Sequence, residues 1–150
     1  MKLLANINLK WYDDTALMLE DREDLVKLFL GCLGVSRDVA SDLFEVLLIA
    51  KKDGISLTSK QIKREIIKLR KLQGMENPEH GLSDRNIQIW LKFFRNLEMV
   101  ERLGDRYLFK KNKTPSNIFI EKTKPEVIDK CSDFMYKLLK EIEKRYEIEK

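Results

Sequence analysis

The side chains best suited to chemistry in this 150-residue sequence are cations, and they are concentrated in one part of the chain. Residues 58–113 hold 14 Lys and Arg against 7 Asp and Glu, a net charge of +7, whereas residues 1–57 carry −3 and residues 114–150 carry zero. A surface that binds phosphates needs such a concentrated positive field, because neutralising phosphates releases counterions. The alternative is a solvated Lys/Arg face, since Lys/Glu-rich surfaces are common in heat-adapted proteins.

Residues that could support catalysis or hold a metal are few and are not spaced for it. His80 is the only histidine, and Cys32 and Cys131 are the only cysteines, so the paired spacing of a zinc site is missing. We interpret both cysteines as buried small hydrophobic residues. An acidic cluster is interpreted as first-turn helix acids on a solvated face; it comprises Asp13, Asp14, Glu20, Asp21, Glu23 and Asp24. We therefore expect no enzyme activity, metal or cofactor.

Residues 83–97 show the pattern of a capped amphipathic helix. Ser83 is a good N-cap, and apolar residues then recur at the i, i+3, i+4, i+7 spacing of one helical face. These apolar residues are Ile87, Trp90, Leu91, Phe94 and Leu97. The positions between them are polar and basic, so the helix predicted over 84–97 has a charged outer face.

A short hairpin is predicted directly after this helix. Its strands are 100–103 and 106–111, and its turn is Gly104-Asp105, where glycine can supply a positive φ. Upstream, the sequence predicts a short strand within 3–12 and a helix from Asp13 or Asp14 to Leu30 that Gly31 and Gly34 end. A helix over 37–52, capped by Ser36, and an extended piece over 55–57 follow. The next predicted elements are a helix over 59–73, with Leu72 inward, and a loop over 74–82. Those predicted downstream are a polar linker over 112–117, a brief strand over 118–120 and a helix over 125–148 with Pro125 in its first turn.

This order of elements resembles the winged helix-turn-helix superfamily of bacterial and archaeal transcription regulators. The resemblance covers residues 37–111 and is most specific over 83–109. Glu98 stands where such regulators commonly have a glycine, and the connection 74–82 is longer than the typical turn of about 3–4 residues. The resemblance implies a mainly α fold with a small β-wing and with flanking N- and C-terminal helices.

The resemblance also implies how particular side chains would contact double-stranded DNA. Helix 84–97 would lie in the major groove, with Arg85 on guanine, Asn86 or Gln88 on adenine and Ile89 on a thymine methyl. The implied recognition-helix set is Ser83, Arg85, Asn86, Gln88, Ile89, Lys92 and Arg95. Phosphate contacts are implied for Lys60, Lys63 and Arg64 of the positioning helix and for Arg102, Arg106, Lys110 and Lys111 of the wing.

The last helix needs a partner for its apolar seam, which follows the 3.5-residue repeat of a coiled coil and is widened by Phe134 and Leu139. The seam comprises Ile128, Cys131, Met135, Leu138, Ile142 and Tyr146. It could fold back on the helix 14–30 or pair with its copy in a second subunit. MarR-like and archaeal coiled-coil regulators dimerise through such helices, so the resemblance implies a homodimer with recognition helices ~34 Å apart.

Two functions from different classes follow from these patterns. The first is a dimeric, sequence-specific transcriptional regulator; the second is a winged-helix protein-interaction module in replication, transcription or chromosome machinery, favoured by the long connection and by Phe93 if exposed. The predicted parts are a packing or dimerisation segment (1–35), the winged helix (36–113), and a linker with a dimerisation helix (114–150). No apolar run approaches the ~20 residues that span a bilayer, and no signal peptide is recognisable, so a cytoplasmic location is expected.

Overall fold

The structure, a computed structural model, describes residues 1–148. Its helices are α1 (Arg22–Cys32), α2 (Asp38–Asp53), α3 (Ser59–Leu72), α4 (Asp84–Asn96), α5 (Pro115–Ile118) and α6 (Asp129–Arg145), with 3-10 helices at Asp14–Met18 and Lys110–Asn112 and a π-helical segment at Phe119–Ile128. Its strands are β1 (Leu57–Thr58), β2 (Val100–Leu103) and β3 (Arg106–Phe109). They form one antiparallel sheet in the order β1-β3-β2. The protein is therefore mainly helical with a small sheet, and none of the helices within 1–148 has the length and apolar character needed to cross a bilayer.

Helix α2 lies at the centre of the hydrophobic core. Leu43 and Leu47 are buried, and the ring of Phe44 lies 5.2 Å from that of Phe94 in α4 and 5.6 Å from that of Phe109 in β3. Aromatic pairs at these distances contribute about 0.5–1.5 kcal/mol each beyond the burial of their area. This packing fixes α4 and the hairpin against the same side of α2.

Side-chain caps set where the helices around the sheet begin. Thr58 and Gln61 form a capping box at the start of α3: the Gln61 N–H donates to Thr58 Oγ1 at 3.2 Å, and the Thr58 N–H donates to Gln61 Oε1 at 2.9 Å. At the start of α4, Ser83 Oγ accepts the Asn86 N–H at 3.1 Å. The predicted cap Ser83 is confirmed, and of Thr58 and Ser59, either of which could cap α3 from the sequence, Thr58 is the cap.

The predicted hairpin is also confirmed. Val100 pairs with Phe109 and Leu103 with Arg106, and Gly104 at the turn has a φ of 64°, in the left-handed region that glycine adopts without strain. The second strand ends at Phe109, earlier than predicted, because the backbone turns directly after it: Lys111 and Asn112 both have a φ of 54°, which no strand accommodates.

The N-terminal segment differs from the prediction. No strand forms within 3–12, and the helix predicted from Asp13 is interrupted, because Leu19 and Asp21 have extended dihedral angles. A continuous helix through this segment would need Leu17 and Leu19 on its one apolar face. Residues two apart point to different sides of a helix, and both leucines are exposed.

Two helix boundaries near α2 were also predicted wrongly. Gly31 lies within α1 instead of ending it. The N-cap of α2 is Arg37, which makes no side-chain cap hydrogen bond, instead of Ser36. The backbone turns out of α1 at Leu33 and Gly34 and not at Gly31, since Gly34 has a φ of 78°. The helix α1 therefore continues past Gly31.

The C-terminal part is one continuous helical stretch, so the predicted strand over 118–120 is wrong. The stretch begins at Pro115, capped by Thr114, and Pro125 lies inside it instead of in its first turn. Proline lacks an N–H and disrupts regular α-helical bonding, and the backbone around it is π-helical. Thr123 Oγ1 donates to the Leu97 carbonyl at 2.6 Å and fastens this segment to the end of α4.

Helix α6 packs substantially only on the π-helical segment that precedes it, among the elements of the described chain. Its large apolar residues are between 42% and 63% exposed: Phe134, Met135, Tyr136, Leu138, Leu139 and Ile142. It does not fold back on the N-terminal helix. The predicted segment 114–150 ends at residues 149 and 150, which lie outside the described residues.

Candidate nucleic-acid interface

Helix α4 has a buried face and an exposed polar face. Ile87, Leu91 and Phe94 are at most 1% exposed, which confirms the predicted periodicity. Trp90 and Phe93 are half-buried and pack edge to face with their rings 5.5 Å apart, so Phe93 is not an exposed interface residue. The residues on the outer face are Arg85, Gln88, Ile89, Lys92 and Arg95, all exposed.

A groove of about 580 Å³ runs between α4 and the hairpin. Its cationic and amide lining comprises Gln88, Lys92, Arg95 and Asn96 from α4, Arg102 from β2, and Lys110 directly after β3. The structure thus brings together residues of two predicted sets that are separated along the chain. Glu98 and Glu101 also line the groove, so its field is positive but not uniform.

Hydrogen bonds orient the hairpin side chains. Arg102 Nε donates to the Gly104 carbonyl at 2.7 Å, and its guanidinium lies 6.0 Å from the centre of the Tyr107 ring, within cation–π range. The Tyr107 hydroxyl in turn donates to Gln88 Oε1 at 3.4 Å. These contacts connect Arg102 on the hairpin with the outer face of α4.

The other predicted wing residues are held differently. Arg106 Nη1 donates to the Ser56 carbonyl at 2.9 Å, before β1, and Arg106 does not line the groove. Lys110 forms an ion pair with Glu98, which offsets its charge. Lys111 is exposed and its N–H donates to Glu101 Oε1 at 3.1 Å.

The predicted positioning-helix residues lie in the first turns of α3. Lys60 and Arg64 are exposed, and Lys63 Nζ lies 3.6 Å from Asp84 Oδ1 at the start of α4. This ion pair crosses from α3 to α4, so the two helices present their cations close to each other. The pair was not predicted, because periodicity does not identify partners on different helices.

Two residues of the predicted recognition-helix set help to shape the start of α4. Ser83 is the N-cap, and Asn86 donates from Nδ2 to the Gly81 carbonyl at 2.9 Å. The Asn86 amide is therefore already engaged in the protein. The Gln88 amide also has a partner, since its Oε1 accepts the Tyr107 hydroxyl, but its side chain is exposed whereas that of Asn86 is half-buried, so Gln88 is the more accessible amide for a base.

Sequence patterns missed Arg70, which is 2% exposed. The prediction placed Leu72 inward at the end of α3, but Leu72 is 86% exposed. The inward stripe follows Ile62, Ile66 and Arg70 at steps of four, and no apolarity pattern could select an arginine. The one sequence feature that points to an inward Arg70 is its spacing, since this charged residue lies four positions after Ile66 in the same stripe.

The described residues 1–148 contain no group of three or more His, Cys, Asp or Glu side chains arranged to hold a metal ion. Cys32 and Cys131 are half-buried free thiols rather than fully buried ones. No family model, curated protein or solved structure matches the chain. The arrangement of cations, amides and the exposed helix face is therefore the basis for assigning a function.

Proposed function

We propose that this protein is a sequence-specific, double-stranded DNA-binding protein, a dimeric transcriptional regulator whose residues 36–113 form a winged helix-turn-helix domain. The observation that carries the proposal is the groove in which Lys92 and Arg95 of α4 meet Arg102 and Lys110 of the hairpin. A helix of about 10–12 Å diameter fits a major groove about 12 Å wide. Cations beside such a helix then meet the flanking phosphates.

The order of elements supports a winged helix. Helix α2, strand β1, helices α3 and α4, and the hairpin β2–β3 follow one another, and β1 pairs with β3 to close the sheet. Helix α3 then corresponds to the positioning helix, α4 to the recognition helix and the hairpin to the wing. Such a domain acts on DNA inside the cell, consistent with the expected cytoplasmic location.

The exposed side chains divide into two roles. Arg85 in the first turn of α4 is placed for bidentate contact with a guanine edge, and Gln88 and Ile89 follow it on the outer face. Lys60, Arg64, Lys92 and Arg95 are placed for phosphates, which fix register without selecting sequence. Base contacts give specificity, and phosphate contacts give salt-dependent affinity.

A homodimer accounts for the exposed apolar surface of α6. Six of its large apolar side chains are about half exposed, and burying each against a partner would contribute about 1 kcal/mol. The added positions Phe134 and Leu139 make the stripe wider than the two positions per heptad of a strict two-stranded seam. The second copy of this helix is the proposed partner.

The test is selection of DNA followed by a salt series. The full chain is incubated with a random duplex pool, and affinity for the enriched duplex is measured from low to moderate salt. We expect affinity to fall steeply with salt, Arg85→Ala to lose about 1–3 kcal/mol of base discrimination, and Lys60→Ala to weaken all duplexes alike. Absence of salt-sensitive duplex binding at low ionic strength would refute the proposal.

A protein-interaction module is the second candidate, and one observation favours it. An apolar groove of about 340 Å³ lies between the end of α2 and α3, and Ile55 and Leu72 on its lining are 53% and 86% exposed. Under this function Leu72→Asp would abolish binding of a protein partner, whereas duplex binding would be absent in the unchanged chain.

A further inference from the structure

Arg70 connects three parts of the domain through one side chain. Its guanidinium is buried at the end of α3, and Nε donates to Asp42 Oδ2 of α2 at 2.8 Å. Nη1 donates to the backbone carbonyls of Pro78 at 3.0 Å and His80 at 2.7 Å. Since the Asp42 side chain is only 13% exposed, most of this ion pair lies out of water. The long connection after α3 is thereby tied to both α2 and α3.

The contacts of Arg70 depend on the shape of its side chain as well as on its charge. A guanidinium is planar and directs five N–H donors in fixed directions, so it reaches a carboxylate and two carbonyls together. A lysine would bring the same charge as a compact ammonium on a flexible stem. Because a buried charge must keep its partners, Arg70 restricts where Pro78 and His80 can lie.

The backbone between His80 and α4 transmits this restriction. Gly81 packs against α2, since a Cβ at its position would lie 3.3 Å from Val39 Cγ2, and its carbonyl accepts the Asn86 side chain at 2.9 Å. Leu82 is 3% exposed. The first turn of α4 therefore follows a segment that contacts α2 through Gly81 and the core through Leu82.

We propose that Arg70 is a positioning residue for α4: without touching DNA, it sets the placement from which Arg85 contacts base edges. The proposal rests on the DNA-binding function proposed above. An Arg70 with a purely structural role would change stability and leave the base discrimination of the folded protein intact. A positioning Arg70 changes discrimination in protein that is still folded.

The test compares Arg70→Lys and Asp42→Asn with Lys71→Arg in the full chain. Lys71 is the adjacent, exposed residue, so its variant is a matched charge-preserving control. Folding is checked by circular dichroism, and affinity is then measured for the duplex that the unchanged chain enriches and for a scrambled duplex of equal composition. We expect the affinity ratio to fall at least about fivefold in Arg70→Lys, the lower end of one bidentate base contact, with the scrambled-duplex affinity and its salt slope unchanged.

Each outcome decides the proposal. An unchanged ratio in folded Arg70→Lys, an equal loss for both duplexes, or a changed ratio in Lys71→Arg would overturn it. If Arg70→Lys does not fold, Asp42→Asn decides by the same ratio, since its amide keeps the size and acceptor oxygen of the carboxylate. Failure of the unchanged chain to enrich any duplex would refute the DNA-binding function first, and the positioning role with it.

Discussion

The Lys63 ammonium on α3 lies 3.6 Å from the carboxylate of Asp84, the first residue of α4. Asp84 suits this place in the helix, because a negative charge interacts favourably with the N-terminal end of the helix dipole. The Asp84 side chain is 92% exposed, and it offsets the charge of Lys63, for which the resemblance implied a phosphate contact. Asp84 therefore stabilises α4 and at the same time reduces the positive charge that α3 and α4 present at this surface.

Replacing Asp84 with asparagine is expected to strengthen DNA binding. The substituted amide would keep the size of the side chain while releasing Lys63 for phosphate. We expect affinity for all duplexes to rise up to about fivefold at low salt, the equivalent of about 1 kcal/mol from one exposed charge. Fluorescence anisotropy across a salt series measures this. Glu76→Asn, on the exposed connection, serves as control, and a uniform decrease for Asp84→Asn would contradict the proposed interface.

Lys92 and Lys110 are expected to contribute unequally to phosphate binding, although both line the groove. Lys110 is paired with Glu98, whereas Lys92 forms no ion pair within residues 1–148. Lys92→Ala should lower the slope of log affinity against log salt by about 0.9, the value for one phosphate contact. Lys110→Ala should lower it by less, and Lys52→Ala on α2 should leave it unchanged. Equal slopes for the Lys92 and Lys52 variants would exclude a Lys92–phosphate contact.

Local signals were sufficient to predict α4 and the hairpin from the sequence. Ser83 is a strong cap, the apolar residues that follow have a clear helical period, and Gly104-Asp105 is a turn signal between two short strands. Each feature is decided within a few residues of itself. The predicted outer face of α4 followed from the same periodicity, and its side chains are exposed.

The features that could not be predicted depend on contacts between residues that are far apart in the sequence. Pro125 resembled a helix start, but the Thr123 hydroxyl bonds the Leu97 carbonyl, 26 residues away, and the helix runs through the proline. Arg70 is inward because Asp42 and the 74–82 backbone supply its hydrogen-bond partners. Propensity and periodicity describe neighbours along the chain and do not include such partners.

Glu98, two residues after the end of α4, has a φ of 63° at the place where the resemblance implied a glycine. A non-glycine residue in this region costs about 1 kcal/mol, while the ion pair with Lys110 recovers at most about 1 kcal/mol. We expect Glu98→Gly to change the free energy of unfolding by less than about 1 kcal/mol and Glu98→Val to lower it by more than about 1 kcal/mol. Chemical denaturation measures both, and Glu98→Gln isolates the ion pair. A valine variant as stable as the glycine variant would contradict the strain.

Glu45 is expected to make stability fall as pH rises. Burial raises the pKa of this carboxyl, and the neighbouring Glu23 raises it further; its Oε1 has no hydrogen-bond partner in the described chain. Because the folded state then binds the proton more tightly than the unfolded state, its stabilising contribution is lost from its usual pKa of 4.5 upward through the raised value. Glu45→Gln should be as stable as the unchanged chain below this window and more stable above it.

Unfolding by urea at several pH values between 4 and 8 checks the Glu45 prediction. Glu76→Gln, an exposed carboxyl removed on the connection, is the matched control and should follow the unchanged chain. A Glu45→Gln protein whose stability tracks the unchanged chain at every pH would show that the buried carboxylate has little effect on folding.

Leu138→Lys is expected to yield monomers, because it places a charge at the centre of the exposed stripe of α6. Leu138 is 49% exposed, so a lysine is accommodated in the single chain without loss of core packing, and only an assembled interface would be disrupted. Light scattering measures the mass, and circular dichroism should remain unchanged. Leu72→Lys, an equal change at an 86% exposed leucine of α3, should remain dimeric. If the Leu72 variant became monomeric and the Leu138 variant stayed dimeric, the apolar groove between α2 and α3 would be the dimer contact, and α6 would be left for a different partner.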